Sequence, residues 1–322
     1  MRLLNTKTFK LKEFQVDIPP YAILSHTWDE EEVTFQDIRA TFVAKRKAGW
    51  SKVKNACAYA LKHEFEWIWI DSCCIDKSSS AGLSEAINSM YQYYEDAVVC
   101  YAYLSDASSK EDPRDVNSGF RRSKWFKRGW TLQELLAPAY LVILDQKWIE
   151  IGTRWSLRDA ISAITSIPIQ VFEGRPIYEY SVAQKMSWAA FRQTTRPEDE
   201  AYCLMGIFGV NMPPIYGEGG AKAFMRLQQE IIRISEDRSI FAWVSSPEES
   251  SDLRGLFAKS PREFRASGVV EKCDSMEDFE SSFSFNNNGL HIHLPIMLLN
   301  DSNASVDTDH VFLASLDCQA ET

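Results

Sequence analysis

WIWIDSCCIDKSSSAGLSEAINSMYQYYEDAVVCYAYL, residues 67–104, decides the fold class. Trp67 to Asp71 is almost wholly apolar, as a strand is when helices cover both faces of its sheet. Ser72 to Gly82 is polar and reads as a loop. Leu83, Ile87, Met90, Tyr91 and Tyr94 then recur at helical spacing and form one apolar stripe. Ala97 to Leu104 is a second apolar run. A strand, a helix and another strand in that order make a crossover, so the two strands run parallel.

The same alternation extends outward. Tyr21-Ala-Ile-Leu-Ser25 reads as a strand ending in the polar His26-Thr27-Trp28-Asp29, and residues 51–65 read as a helix striped by Val53, Ala56, Cys57, Ala60 and Leu61. Pro113, Asn117 and Gly119 mark 105–122 as a long loop. Trp130 to Leu136 is helical, stopped by Pro138, and Leu141 to Leu144 is a fourth strand. The expectation is an α/β fold whose parallel sheet, flanked by helices, fills residues 1–150. From 151 to 244 the pattern turns helical, and 245–322 is a β-rich extension after a stretch rich in Ser, Glu and Asp. Thr195, Pro197 and Glu198 suggest a capping box opening a helix through Phe208, another helix covers about 220–236, and Ser239 to Val244 suggests a strand. Strands resume near 289–296 and 311–316. Tyr202, Leu204, Met205, Phe208, Phe224 and Ile231 make an apolar set large enough to require burial, partly against the first half.

A net charge of −10 argues against a nucleic-acid partner or an anionic membrane surface, because the attraction would have the wrong sign. No apolar run approaches the ~18 residues of a membrane span. The first residues, MRLLNTKTFKLKEF, have no apolar core of the secretory kind. The seven cysteines are scattered through apolar segments, which suits reduced thiols and a cytoplasmic location. No Cys/His spacing matches a zinc site, and the pair His291 and His293 reads as one face of a strand.

Four segments in order resemble a fungal heterokaryon-incompatibility (HET) domain. They are YAILSHTWDEEEVTFQDI (21–38), the stretch 67–97, SKWFKRGWTLQELLAP (123–138) and the stretch from Met186 to Ile232. The first three also resemble TIR domains, a flavodoxin-like fold with a nucleotide cleft at the carboxyl ends of its strands. Ile23-Leu-Ser25-His26 is similar to the opening TIR strand. Ile70-Asp71, the loop after it and Leu83 to Ile87 are similar to the second strand, its loop and the next helix. Trp130-Thr-Leu-Gln-Glu134-Leu135 is similar to the helix whose glutamate is catalytic in NAD-cleaving TIR enzymes. The insert 105–122 departs from compact TIR domains. The resemblance implies a role in non-self recognition and cell death, with NAD⁺ as substrate rather than cofactor. It also implies self-association on activation, and leaves room for an upstream recognition protein or for a non-enzymatic adaptor that signals by assembly alone.

The chemistry fits few residues. Breaking the nicotinamide–ribose bond expels a neutral leaving group, so one carboxylate that offsets oxocarbenium-like charge suffices. A tryptophan face can hold the pyridinium. Glu134 is the catalytic candidate, sharing a helix face with Trp130 and lying off the stripe of Leu132 and Leu136, hence expected at the surface. Glu85 is the rival carboxylate, with a first-turn helix position as its plainer explanation. Ser25, His26 and Trp28 end the first strand, where ligand clefts of α/β folds form. Asp71, Asp76 and Lys77 border the loop over the nucleotide, and Arg128 is placed to meet a phosphate. Gly217-Glu-Gly-Gly-Ala-Lys222 lacks the spacing of a phosphate loop and reads as a tight turn.

Overall fold

The computed structural model describes residues 1–245 and 255–272, with short pieces beyond them (284–286, 289–292, 294, 296–299, 311–314, 316 and 318–320). A seven-stranded sheet organises the first 153 residues. Its strands are β1 (Arg2–Asn5), β2 (Leu11–Glu13), β3 (Tyr21–His26), β4 (Trp67–Ile70), β5 (Val99–Tyr103), β6 (Leu141–Leu144) and β7 (Glu150–Thr153). Their order is β2-β1-β4-β3-β5-β6-β7. β4, β3, β5 and β6 are mutually parallel, as the crossovers require. All six residues of β3 are buried, which explains why its apolar run shows no alternation.

The pairing register shows where the helices lie. Ile23 pairs with Trp69 and Cys100, so these share one face, while Leu24, Ile70 and Tyr101 share the other. Tyr59, on the helix Trp50–Lys62, meets Tyr101 edge-on at 4.9 Å between ring centroids. Tyr93 and Tyr94, on the helix Ser80–Glu95, meet Trp69 at 5.8 and 5.9 Å. The two crossover helices therefore cover opposite faces. Because the chain leaves β3 toward β4 and returns past it to β5, a crevice opens at the carboxyl end of β3.

Three strands, β1 and the two edge strands β2 and β7, escaped the sequence reading, and all their pairings are antiparallel. β1 adds Leu3 and Leu4 to the core, and Asn5 Oδ1 turns the chain by accepting from the Lys7 and Thr8 amides. Runs of three or four residues with one or two apolar members carry no usable periodicity. β7 hangs on Asp145, whose Oδ1 accepts from the Lys147 and Ile149 amides.

Past residue 153, the proposed capping box at Thr195 is absent. Thr195 Oγ1 instead accepts from Arg128, and Glu198 Oε1 accepts from the Gly217 and Gly219 amides. The expected single helix is broken into Asp199–Tyr202 and Met205–Phe208. The expected strand at 239–244 is a 3₁₀ turn over Arg238–Phe241, capped by Asp237. The helix Gly220–Ile234 forms as expected, and Tyr202, Leu204, Met205, Phe208, Phe224 and Ile231 are all buried. Met205–Phe208 lies against the helix Ser80–Glu95, so closely that a Cβ on Gly206 would come within 2.1 Å of Tyr91 Cβ. Strands do form at Gly289–His291, Ile296–Leu299 and Val311–Ala314. Much of the acidic stretch 245–285 lies outside the described residues, and so does His293 of the histidine pair.

Candidate active site

A cavity of about 340 Å³ occupies the crevice beside β3. His26, Trp28, Asp71, Lys77, Arg128, Trp130 and Glu134 all line it. Sequence reasoning therefore brought together seven of its ten candidates. Each comes from a carboxyl end or its sequel: His26 ends β3 and Trp28 follows it, Asp71 and Lys77 come after β4, and the others from the connection between β5 and β6.

Glu134 departs from expectation. It is only 7% exposed, and every residue of its helix Thr131–Leu136 is buried. Six residues make fewer than two turns, and a helix covered on all sides has no polar stripe to read. The carboxylate is held by a chain of donors: Trp125 Nε1–H donates to Ser25 Oγ at 2.8 Å, and Ser25 Oγ–H donates to Glu134 Oε2. Ser25 is thus a buried support beneath the carboxylate rather than a wall of the cavity. Burial pushes the Glu134 carboxyl up to about 7, against the Ser25 hydrogen bond and with the Asp71 charge adding to the rise.

Asp71 is set the opposite way. Burial would raise its pKa, but the His26 hydrogen bond leads a set of favourable contacts that hold it at about 2. His26 Nε2 lies 2.9 Å from Asp71 Oδ1, and Trp28 Nε1–H donates to Oδ2 at 2.7 Å. Lys52 Nζ stands 3.2 Å from His26 Nδ1. An ammonium has only donors, so Nδ1 accepts and the ring proton sits on Nε2, facing Asp71. Lys52 is itself paired with Glu32 and, at 2.8 Å, with Asp29. Asp71 and Glu134, which face one cavity, are thus set far apart in acidity, a pattern typical of functional sites.

Two candidates fall away. Glu85 is exposed and borders a separate hollow with Arg2, Glu13 and Tyr93, on the outward side of its helix. Asp76 folds back on its own loop, accepting from Ser78 Oγ at 2.6 Å and from Gln36. The loop after β4 does reach the cleft, through Lys77, whose Nζ sits 3.4 Å above the centre of the Trp28 ring.

The sequence reading missed the far wall. Thr195, Arg196, Asp199 and Tyr216 come from the second half of the chain. Gln193 bridges to 127–129 as a strand would, its amide donating to Lys127 O at 2.7 Å while its carbonyl accepts from Gly129 at 2.8 Å. That strap delivers Arg196 and Asp199 to the cavity. Asp199 accepts from Trp130 Nε1 at 3.2 Å and Tyr216 OH at 3.0 Å, and burial raises its pKa. The charged cluster Arg196-Pro-Glu-Asp-Glu200 was the only available signal, and it resembles an ordinary solvated helix start.

Residues 21–119 match the model of the family described as heterokaryon incompatibility protein (HET). The match spans β3, β4, β5 and the loop after β4, and ends before Glu134. The chain is also similar to the vegetative incompatibility protein HET-E-1 of Podospora anserina, 46% identical over 222 residues. That alignment covers 66% of this chain and 16% of the relative, so the chain spans a small part of the protein it matches. No solved structure matches it.

Proposed function

The chain is a heterokaryon-incompatibility (HET) domain protein, and from that premise we propose that its cleft hydrolyses NAD⁺ to nicotinamide and an ADP-ribose product. The reaction is the effector step of fungal non-self recognition, ending in cell death, with the sheet half working as a TIR-like enzyme. The observation that carries this reading is the convergence of Glu134, Trp28 and Asp71 on one cavity at the strand carboxyl ends. Trp28 offers a face already seated by a cation, the Lys77 ammonium, and a pyridinium ring has the same charge. As the C–N bond breaks, nicotinamide leaves with the bonding pair. The ionised Glu134 offsets the charge left on the ribose, in a site where burial makes that interaction stronger than in water. Water then adds to the ribose carbon and gives up its proton to Glu134.

Purified, concentrated protein incubated with NAD⁺ should release nicotinamide and ADP-ribose, resolved by chromatography. An unchanged NAD⁺ peak at every protein concentration sinks the proposal. Activation by self-association is part of the same reading, so specific activity should rise with protein concentration.

One observation favours a second reading. Phe42 is 72% exposed, with Val43 beside it on the short helix Thr41–Ala44, an apolar surface suited to assembly. A non-enzymatic adaptor that signals by assembly alone predicts cell killing by Glu134→Gln with NAD⁺ intact.

A further inference from the structure

Lys77, Arg128 and Arg196 line the cleft together, although the chain as a whole carries a net charge of −10. Among the described residues none of the three makes an ion pair. Arg128 donates to the neutral Thr195 Oγ1 at 2.8 Å, Arg196 lies 4.2 Å over the Tyr216 ring, and Lys77 rests on Trp28. The nearby carboxylates have their oxygens engaged by other donors. Asp71 is held by His26 and Trp28, Asp199 by Trp130 and Tyr216, and Glu134 by Ser25. Burial lowers the Lys77 pKa; Asp71 and Asp199 oppose that shift, while Arg196 and Arg128 add to it. Cations gathered on one cavity and left without a salt bridge favour an anion there and are free to pair with it.

We infer that Lys77, Arg128 and Arg196 form one clamp for a diphosphate, built jointly by the sheet half and the strap 193–199. This rests on the reading of the cleft as an NAD⁺ site and narrows it. The ligand class is a nucleoside diphosphate conjugate, and a nucleoside without phosphates is a poor ligand. Arg128 and Arg196 each offer a planar fork suited to bidentate phosphate contacts, and Lys77 adds a point charge. The strap also makes the site composite. Arg196 lies 119 residues along the chain from Lys77 and 68 from Arg128, so the second half is part of the binding site rather than a support.

Calorimetry on the full chain separates this from the proposed hydrolysis, because ADP-ribose is a product and is not turned over. ADP-ribose should bind with an affinity that falls as salt rises, and adenosine should bind on the order of a hundredfold more weakly. Arg196→Gln should weaken ADP-ribose on the order of tenfold and leave adenosine unchanged, with Arg196→Lys recovering part of the loss. Arg196 is exposed, so melting temperature should not move, and Arg158→Gln, at an exposed ion pair with Glu173, serves as a charge control without effect. Adenosine binding as tightly as ADP-ribose, no ADP-ribose binding at millimolar concentration, or unaltered affinity in Arg196→Gln each overturn the clamp. If the clamp passes and NAD⁺ is never cleaved, hydrolysis falls alone. If NAD⁺ is cleaved and Arg196→Gln keeps the wild-type KM, the clamp falls alone.

Discussion

The two walls of the cleft are built on different principles. The sheet-derived wall presents His26, Asp71 and Glu134 with their polar atoms engaged inside the protein, through Lys52, Trp28 and Ser25. The strap-derived wall presents Arg196, exposed and without an ion pair among the described residues, beside Asp199 and Tyr216. Groups fixed by internal hydrogen bonds need no reorganisation when charge develops. A cation that rests on a ring without a salt bridge keeps its charge available to a ligand. On the proposed reading, the difference teaches that the first wall holds the reacting groups, and the second adds to Lys77 and Arg128 a cation for capture.

The largest expected effect breaks the reactive wall. Glu134→Gln removes the charge but keeps an oxygen for the Ser25 hydroxyl, so NAD⁺ cleavage should fall on the order of a thousandfold or more in a folded protein. Normal turnover in that variant would place the reactive carboxylate elsewhere. The burial of Glu134 also gives the substitution a signature in stability. Its pKa is raised from 4.5 to about 7, so the folded state favours the protonated form. The wild type should therefore lose stability as pH rises from about 4.5 through about 7, by about 3 kcal/mol in all, and level off above. Denaturant melts should show the variant spared that loss.

Next in size is the pH dependence of the reaction itself. The ionised carboxylate is the working form, so kcat/KM should fall about tenfold per pH unit below about 7 and reach a plateau above it. Ser25→Ala sharpens this. It leaves Trp125 Nε1 and Glu134 Oε2 short of a partner in the interior, costing about 1–3 kcal/mol of stability. It also removes a contact that favours ionisation, so the midpoint of the profile should move to higher pH. A profile unmoved by Ser25→Ala would detach the titration from Glu134.

Gly206→Ala tests whether the walls depend on each other. The added Cβ meets Tyr91 at 2.1 Å, and repacking that contact should cost about 1–3 kcal/mol, read as a lower melting temperature. The smallest effect belongs to Glu85→Gln, which is exposed and off the cleft. Its stability should stay within about 0.5 kcal/mol of wild type, with NAD⁺ cleavage unchanged.

The sequence by itself determined the parallel strands β3, β4, β5 and β6, because burial on both faces compresses each into an apolar run that no exposed segment resembles. It also brought out the residues that end those strands, His26, Trp28 and Asp71, since a crevice at the carboxyl ends follows from the alternation of strand and helix. The tertiary structure alone decided the rest. Whether Glu134 meets water depends on Trp125, Ser25 and the helix Ser80–Glu95 closing around a six-residue helix, and no local period encodes neighbours that arrive from distant segments. The antiparallel strands β1, β2 and β7 are too short to carry a pattern; β1 and β7 form against the free backbone of β4 and β6, and β2 then pairs with β1. The far wall is set by the strap pairing of Gln193 with Lys127 and Gly129, contacts between backbone groups that every residue possesses. Side-chain chemistry in the sequence names the charges, and only the packing of the two halves tells which of them are left facing the same space.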